Sequence, residues 1–282
     1  MALRKIAQIV PAVRDDIDDL ITRRALPTQH ISFLDPFLFL NHHGPQVYPA
    51  PNHGLPFGPH PHRGFETVTF ILKGDLMHSD SGGHESVIKA GGVQWMTAGK
   101  GLVHAEVSSQ EFLQNGGDLE ILQLWVNLPA KLKMTRPAYR GLQKDEIPTY
   151  KFDNDKIKVH LAAGEFKNHK GVFQPLTDIS LMVMEFSGGA HITIDVPMDR
   201  TIFFYVVRGH LKVNGANVGE FHLAKFENEG DQLHIETSQD VVLLFGHAKP
   251  FNEPIVSHGP FVMNTREEIM EAFRDYQAGK FE

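Results

Sequence analysis

The stretch PHPHRGFETVTFILKG, residues 59–74, combines two histidines with a run of residues that favour β-strands. His60 and His62 are two positions apart, and side chains at i and i+2 of a strand point to the same face. The apolar run from Glu66 to Leu72 predicts a strand, and Gly74 predicts the turn that ends it. We therefore expect the two imidazoles to converge on one point at the mouth of a β-structure.

A second pair with the same spacing is His104-Ala105-Glu106, which lies in another predicted strand. If both strands line one barrel, the two pairs meet and offer three nitrogens and one oxygen to a metal ion. Such a donor set suits Fe, Mn, Co, Ni, Cu or Zn, and the Irving–Williams order prevents the sequence from selecting among them. Closed structural zinc sites are usually rich in cysteine, so this set indicates a catalytic site.

Glu66 lies four residues after His62 and is expected to share its strand face. It could be a metal ligand, or an acceptor that orients an imidazole N–H. Two carboxylates and three histidines would crowd one site, so we assign Glu106 as the ligand and Glu66 as the supporting acceptor. The other nearby histidines are interpreted as surface or hydrogen-bonded side chains, at most one of which lies near the site: His42, His43, His78 and His84.

The 282 residues include no cysteine and carry a net charge of −7. Without thiolates the chain can form neither disulfides nor cysteine-bound iron–sulfur clusters, so any metal must be held by nitrogen and oxygen. The negative charge argues against a general nucleic-acid-binding surface, which needs clustered lysine and arginine. We recognise neither a secretory signal nor a run of about 18 apolar residues that would span a membrane. A cytoplasmic location is expected.

Short predicted strands separated by glycine turns dominate both halves, which is typical of a barrel or sandwich. Further strands are predicted at Val93–Met96, Leu102–Val107, Leu119–Leu128, Ile157–Leu161, Ile179–Phe186, Ile192–Val196, Thr201–Val207 and Val241–Phe245. A capping-box pattern from Thr265 to Glu268 predicts a C-terminal helix that Gly279 can end. The segment Pro129 to Tyr150, richer in Lys, Arg, Pro and Gln, is expected to connect the two halves.

An internal repeat supports two equivalent domains. When Gly74 is aligned with Gly209, residues 60–74 lie over residues 195–209 without gaps. The apolar pattern agrees, but the would-be ligands are replaced, so the second half is expected to keep the strand and lose the metal. The later pair His234-Ile235-Glu236 lacks partners and is interpreted as a solvent-facing polar pair.

Several longer strings resemble the pirin family. They are FLDPFLFLNHHGP (33–45), HPHRGFETVTF (60–70), QWMTAGKGLVHAE (94–106), LQLWVNLP (122–129) and HGPFVMNTREEI (258–269). The spacing Gly54-x5-His60-x-His62-x3-Glu66-x7-Gly74 is also similar to the first cupin motif, with one extra residue before its last glycine. The resemblance implies an all-β fold of two cupin-type β-barrels (a bicupin) with a C-terminal helix. Residues 1–135 would form the metal-binding barrel and residues 136–282 a barrel without metal ligands.

The resemblance further implies a mononuclear non-haem iron, Fe²⁺, at the positions matching His60, His62, His104 and Glu106, with Glu66 not a ligand. Bacterial pirins are similar to quercetin 2,3-dioxygenases, which leads us to expect that the chain cleaves the central ring of a flavonol with O₂. Glu106 would act as the base that removes the flavonol proton. A flat substrate needs an apolar slot, and the candidate walls are Phe37, Phe39, Phe57 and Met96, although each is more often simply a core residue.

Two alternatives stay open. In the first, the iron state alters a surface that engages a protein partner, such as a transcription factor or a metabolic enzyme, without physiological catalysis. In the second, the centre acts on another small molecule and flavonol cleavage is incidental. Arg63, which follows His62, is expected by strand alternation to point away from the metal and to form a structural salt bridge.

Overall fold

The structure, a computed structural model, describes residues 2–281 and consists mainly of β-strands. The strands and helix of the first half are β1 (Ile6–Pro11), β2 (Val13–Arg14), β3 (Thr22–Leu26), β4 (Phe37–Tyr48), β5 (Phe57–His62), β6 (Phe65–Lys73), β7 (Asp75–Asp80), β8 (Glu85–Lys89), β9 (Val93–Thr97), β10 (Leu102–Val107), α1 (Gln110–Asn115) and β11 (Gly117–Asn127).

The remaining elements begin after the first of two short 3-10 helices, and β12 lies between the two. They are β12 (Ala138–Leu142), β13 (Thr149–Phe152), β14 (Ile157–Ala163), β15 (Glu165–Phe166), β16 (His169–Lys170), β17 (Ile179–Phe186), β18 (His191–Asp195), β19 (Thr201–Arg208), β20 (Leu211–Val213), β21 (Ala216–Val218), β22 (His222–Phe226), β23 (Gln232–Glu236), β24 (Val241–Ala248), β25 (Val256–His258), β26 (Phe261–Met263) and α2 (Arg266–Gln277). The 3-10 helices are Ala130–Leu132 and Lys144–Glu146. The predicted connection from Pro129 to Tyr150 therefore contains ordered elements.

The chain divides into two compact units that are discontinuous in sequence. The histidine unit comprises Arg14–Arg24, Phe37–Glu146 and the chain from Phe251 onward, and the second unit comprises the chain up to Val13, Ala25–Pro36 and Ile147–Pro250. In the second unit, β1 pairs with β22, which accounts for the assignment of the N-terminal segment. The compact units differ in their bounds from the predicted domains, residues 1–135 and 136–282. Those domain extents stay a prediction.

The strand orders of the sheets repeat. A seven-stranded sheet has the order β12-β9-β6-β11-β4-β3-β2, and another has the order β1-β22-β19-β24-β17-β14-β13. Two four-stranded sheets have the orders β5-β10-β7-β8 and β18-β23-β20-β21. The aligned strands β6 and β19 are each third in their seven-stranded sheet, and β5 and β18 are each first in their four-stranded sheet. The topology therefore agrees with the internal repeat read from the sequence.

The pairing register explains why the later histidine pair lacks metal partners. His104 lies opposite His60 in the pairing of β10 with β5. In the pairing of β23 with β18, the residue opposite Asp195, the counterpart of His60, is Gln232. His234 lies two residues further along, opposite Thr193, and is half-buried. It therefore does not occupy the position equivalent to His104.

Local sequence accounts for the C-terminal helix. Thr265 Oγ1 accepts a hydrogen bond from the backbone N–H of Glu268 (3.2 Å), and Glu268 Oε2 accepts one from the backbone N–H of Thr265 (2.9 Å). These two bonds are the predicted capping box. Ile269 and Ala272 are buried in a cluster of the histidine unit that includes Phe261. No helix within residues 2–281 has the length and apolar character required to cross a membrane.

Candidate metal centre

Three histidines converge where β5 pairs with β10. His60 and His62 share one face of β5, and His104 of β10 lies opposite His60. The ring centroid of His104 is 4.3 Å from that of His60 and 5.0 Å from that of His62. One nitrogen from each of the three rings lies within 4.8 Å of the others. The structure thus brings together the three histidines that strand spacing singled out.

Backbone carbonyls orient two of these imidazoles. His60 Nδ1 lies 2.8 Å from the carbonyl oxygen of Gly58, and His62 Nδ1 lies 3.2 Å from that of Pro260. A carbonyl oxygen only accepts hydrogen bonds, so each Nδ1 carries the proton and each Nε2 keeps its lone pair. Hydrogen bonds of this kind orient histidines that bind metals. The contact with Pro260 joins residues 198 positions apart, and no local pattern could have predicted it.

His104 has two buried ring nitrogens, and neither has a hydrogen-bond partner within residues 2–281. A buried polar atom without a partner is unfavourable, and native structures rarely contain one without a reason. Burial lowers the pKa of His62 to about 3, lowers that of His104 well below its usual value and also lowers that of His60. The imidazoles are therefore neutral at pH 7, which is the state that binds a metal. On these observations the residues fit a metal ion.

Glu106 is buried on the same strand as His104, and amide groups hold its carboxylate. The side-chain amides of Gln94 and Gln123 donate to Oε1 and Oε2 respectively, and Thr69 Oγ1 donates to Oε1 (3.3 Å). Burial raises the pKa of Glu106 to about 7, because the loss of hydration outweighs these three donors. Glu106 forms a second potential metal-binding group with His78 and His104. His104 is therefore common to both groups.

Glu66 does not share the face of the site. The extended conformation is interrupted between β5 and β6 at Gly64, whose φ is +89°. The alternation of side chains that begins in β5 therefore does not continue into β6. On β6 the residue that bonds Glu106 is Thr69, which has the opposite strand parity to Glu66. Glu66 is buried and accepts a hydrogen bond from Thr97 Oγ1 at 2.6 Å. The argument that placed it on the histidine face was therefore wrong, and its role as a supporting acceptor for an imidazole stays a prediction.

The predicted substrate walls have different exposures. Phe37 and Met96 have no exposed surface, which favours a packing role for both. Phe39 and Phe57 are half-buried. Phe39 stacks on Trp125 with ring centroids 4.6 Å apart, and Trp125 lies edge-on to His62 at 5.2 Å. The sequence analysis missed this tryptophan as a site residue.

Strand parity could have found Trp125. Gln123 and Trp125 are both on β11 and share one face, and Gln123 donates a hydrogen bond to Glu106.

Arg63 forms the predicted salt bridge. Its guanidinium pairs with Asp275 at 2.9 Å and also donates to the carbonyl of Lys100. Within residues 2–281, both of the clusters that could hold a metal are in the histidine unit. This agrees with the replacement of the ligands in the second half of the repeat.

Comparison with known proteins decides the family. The family model described as Pirin matches residues 19–126, and the model described as Pirin C-terminal cupin domain matches residues 181–282. The chain belongs to the pirin family. The matches establish two cupin domains in this pirin, as the sequence motifs implied.

Among its relatives, a Pseudomonas aeruginosa protein named "Putative quercetin 2,3-dioxygenase" is 39% identical over 90% of this chain and 87% of its own length. A pirin-like protein of Solanum lycopersicum is 36% identical, covering 98% of this chain and 91% of the relative. The crystal structure of a quercetin 2,3-dioxygenase from Acinetobacter baumannii matches with a TM-score of 0.92 and 35% identity, covering 99% of both chains. The fold is thus shared with that structure over 99% of this chain.

Proposed function

We propose that this pirin is a mononuclear non-haem iron dioxygenase that cleaves the central ring of a flavonol with O₂, in the manner of a quercetin 2,3-dioxygenase. The observation that carries the proposal is His104, whose two buried nitrogens have no hydrogen-bond partner among residues 2–281. They lie beside two imidazoles whose Nε2 lone pairs are available to a metal. The names of the relatives from Pseudomonas aeruginosa and Acinetobacter baumannii support the choice of reaction.

The proposed ligands are His60, His62, His104 and Glu106, and Fe²⁺ is the proposed ion. The donor set also suits Mn, Co, Ni, Cu and Zn, so the identity of the metal is part of the proposal. When bound, the metal supplies Lewis-acid stabilisation of a substrate oxygen. We propose residues 1–135 as the domain that carries this centre.

Glu106 is the proposed base. The 3-hydroxyl of a flavonol must lose its proton before the ring can give electrons to O₂, and a positioned carboxylate can accept that proton. The amides of Gln94 and Gln123 hold the carboxylate in one orientation, and its burial excludes competing water. The proton moves from the flavonol oxygen to a Glu106 oxygen, and the reaction with O₂ then releases carbon monoxide and an ester.

The proposed wall for the flat substrate is the aromatic pair Phe39 and Trp125. Both are half-buried, and Trp125 borders His62. The Nε1 of Trp125 is buried without a hydrogen-bond partner within residues 2–281, which makes it a donor for a substrate oxygen. Phe57, half-buried and 5.2 Å from the ring of His43, is a further candidate wall.

A direct assay tests the function. Iron-loaded protein is mixed with quercetin under air, and the loss of flavonol absorbance and the formation of carbon monoxide are measured. Glu106→Gln is expected to abolish turnover, whereas Glu111→Gln, at an exposed helical position, retains it. Undiminished turnover in Glu106→Gln would refute its role as base.

The same preparation separates the alternatives. If iron-loaded protein does not turn over quercetin but does turn over another chelating enol or diketone, that compound and not a flavonol is the substrate. Absence of any turnover, with a protein partner whose binding changes between Fe(II) and Fe(III), would favour the regulatory role. A protein partner and a cytoplasmic location stay predictions.

A further inference from the structure

A cleft of about 390 Å³ lies in the second unit, at positions equivalent to those around the proposed metal centre. Pro197 and His247 are among the residues that line it. Pro197 is the counterpart of His62 in the repeat alignment. His247 is the counterpart of Trp125, because β24 pairs with β19 as β11 pairs with β6, at positions that the repeat aligns. The second unit therefore keeps an opening where the histidine unit has its proposed site, although the metal ligands are replaced.

A buried arginine organises this cleft. Arg200 is 8% exposed, and its Nε donates to His247 Nδ1 at 2.7 Å. Its two terminal nitrogens donate to the two carboxylate oxygens of Asp178, at 2.6 and 3.1 Å. The guanidinium of Arg4 donates to the carbonyl of Arg200 at 2.6 Å and to that of Pro197 at 3.0 Å. Hydrogen bonds within the second unit thus fix this wall of the cleft.

These bonds determine which atoms the wall offers to a ligand. An arginine N–H only donates, so His247 Nδ1 accepts and His247 Nε2 carries the proton. That Nε2 has no hydrogen-bond partner within residues 2–281. The Asp178 side chain is 68% exposed, and the hydrogen bond from Arg200 holds the pKa of Asp178 below its usual value. Asp178 is therefore an anion with lone pairs left for a further donor.

Another part of the lining carries one charge of each sign. Glu165 of β15 and Lys170 of β16 lie opposite each other in their two-stranded sheet, and both are exposed and line the cleft. Neither side chain forms an ion pair within residues 2–281. Ser180 Oγ tethers β15, since it accepts from the backbone N–H of Glu165 (3.2 Å) and donates to its carbonyl (3.3 Å). With Arg200 and Asp178, the lining has two positive and two negative side chains, which complements a ligand that carries both charges.

We propose that this cleft binds a small zwitterion with an ammonium and a carboxylate group, such as a free amino acid. The ligand carboxylate accepts hydrogen bonds from Lys170 Nζ and His247 Nε2. The ligand ammonium donates to the carboxylates of Asp178 and Glu165. Arg200 positions Asp178 and His247 and does not itself contact the ligand. A volume of about 390 Å³ is at the lower end of the range for small-molecule pockets, which suits a ligand of this size.

Isothermal titration calorimetry with the whole chain tests the class of ligand. Each standard L-amino acid is titrated separately. The one that binds most tightly is compared with the matching amine, which lacks the carboxylate, and with the matching acid, which lacks the amino group. Each truncated compound is expected to bind at least tenfold more weakly, because a charged hydrogen-bonding group is lost. A truncated compound that binds as tightly as the amino acid overturns the zwitterion, and no binding of any amino acid at millimolar concentration overturns the site.

A variant and a spectroscopic signature locate the ligand. Lys170→Gln is expected to weaken binding of that amino acid at least tenfold, whereas Lys167→Gln, at an exposed turn position of the same hairpin, should bind as the wild type does. In protein labelled with ¹⁵N at histidine, the amino acid should move the Nε2 signal of His247 and leave that of the half-buried His234 unchanged. Unchanged affinity in Lys170→Gln, or an unmoved His247 Nε2 signal, overturns the inference. None of the proposed metal ligands lines this cleft, so the result is independent of the proposed iron centre.

Discussion

Gln123→Leu removes one amide donor from Glu106, and its effect on metal binding can be worked from the structure. Gln123 Nε2 donates to Glu106 Oε2, and this bond favours the ionised carboxylate. A hydrogen bond to a charged group contributes about 2 kcal/mol, which corresponds to about 1.5 pKa units. The pKa of Glu106, about 7 in the native protein, is therefore expected to rise in the variant.

A metal binds the ionised carboxylate, so the higher pKa weakens binding at neutral pH. A carboxyl group that is half ionised at pH 7 becomes roughly 3% ionised after a rise of about 1.5 pKa units, and affinity falls about 15-fold. Zn²⁺ dissociation constants are measured by chelator competition at pH 7.0 and 8.5, and the deficit is expected to shrink at the higher pH. Gln114→Leu, at an exposed position of α1, is the control. Equal affinities at pH 7.0, or a deficit independent of pH, would refute the reasoning.

Three further predictions concern stability and substrate binding. Arg63→Ala removes the 2.9 Å pair with Asp275, which keeps Lys280 at 2.7 Å, and the bond to the carbonyl of Lys100. It should lower the free energy of unfolding by about 2 kcal/mol in urea denaturation, whereas a change below about 1 kcal/mol contradicts a structural role for Arg63. Burial, and then the charge of Arg200, lower the pKa of His247 from 6.5 to about 3. The unfolded chain therefore takes up a proton at His247 before the folded chain does as pH falls, so this histidine alone should cost about 2 kcal/mol of stability between pH 7 and 5. His247→Asn should remove this loss, and an unchanged pH profile argues against the assignment. Trp125→Ala should raise the KM for quercetin at least fivefold with the metal content unchanged, and an unchanged KM excludes Trp125 as a substrate wall.

Local sequence patterns were sufficient for the elements whose residues alternate or cap. The predicted strands Leu102–Val107 and Ile179–Phe186 have the observed bounds of β10 and β17. The capping box of Thr265 and Glu268 is present as predicted. The spacing of His60 and His62 placed both rings on one face because both residues lie within the single strand β5.

Features that depend on distant segments or on breaks in the alternation were not predictable in this way. The spacing of four residues did not place Glu66 on the same face as His62, because Gly64 between them adopts a left-handed φ and interrupts the strand. The carbonyl of Pro260 reaches His62 only because the segment from Phe251 onward belongs to the histidine unit. His78 was predicted only as a hydrogen-bonded histidine, and its position beside His104 and Glu106 could not be predicted because those two residues lie on another strand.

An anomalous-difference map from crystals of the metal-loaded protein tests the central claim most directly. The account predicts one strong peak within bonding distance of His60, His62, His104 and Glu106. A map of fully loaded protein in which the peak lies elsewhere, or in which these four side chains surround no metal, would contradict it.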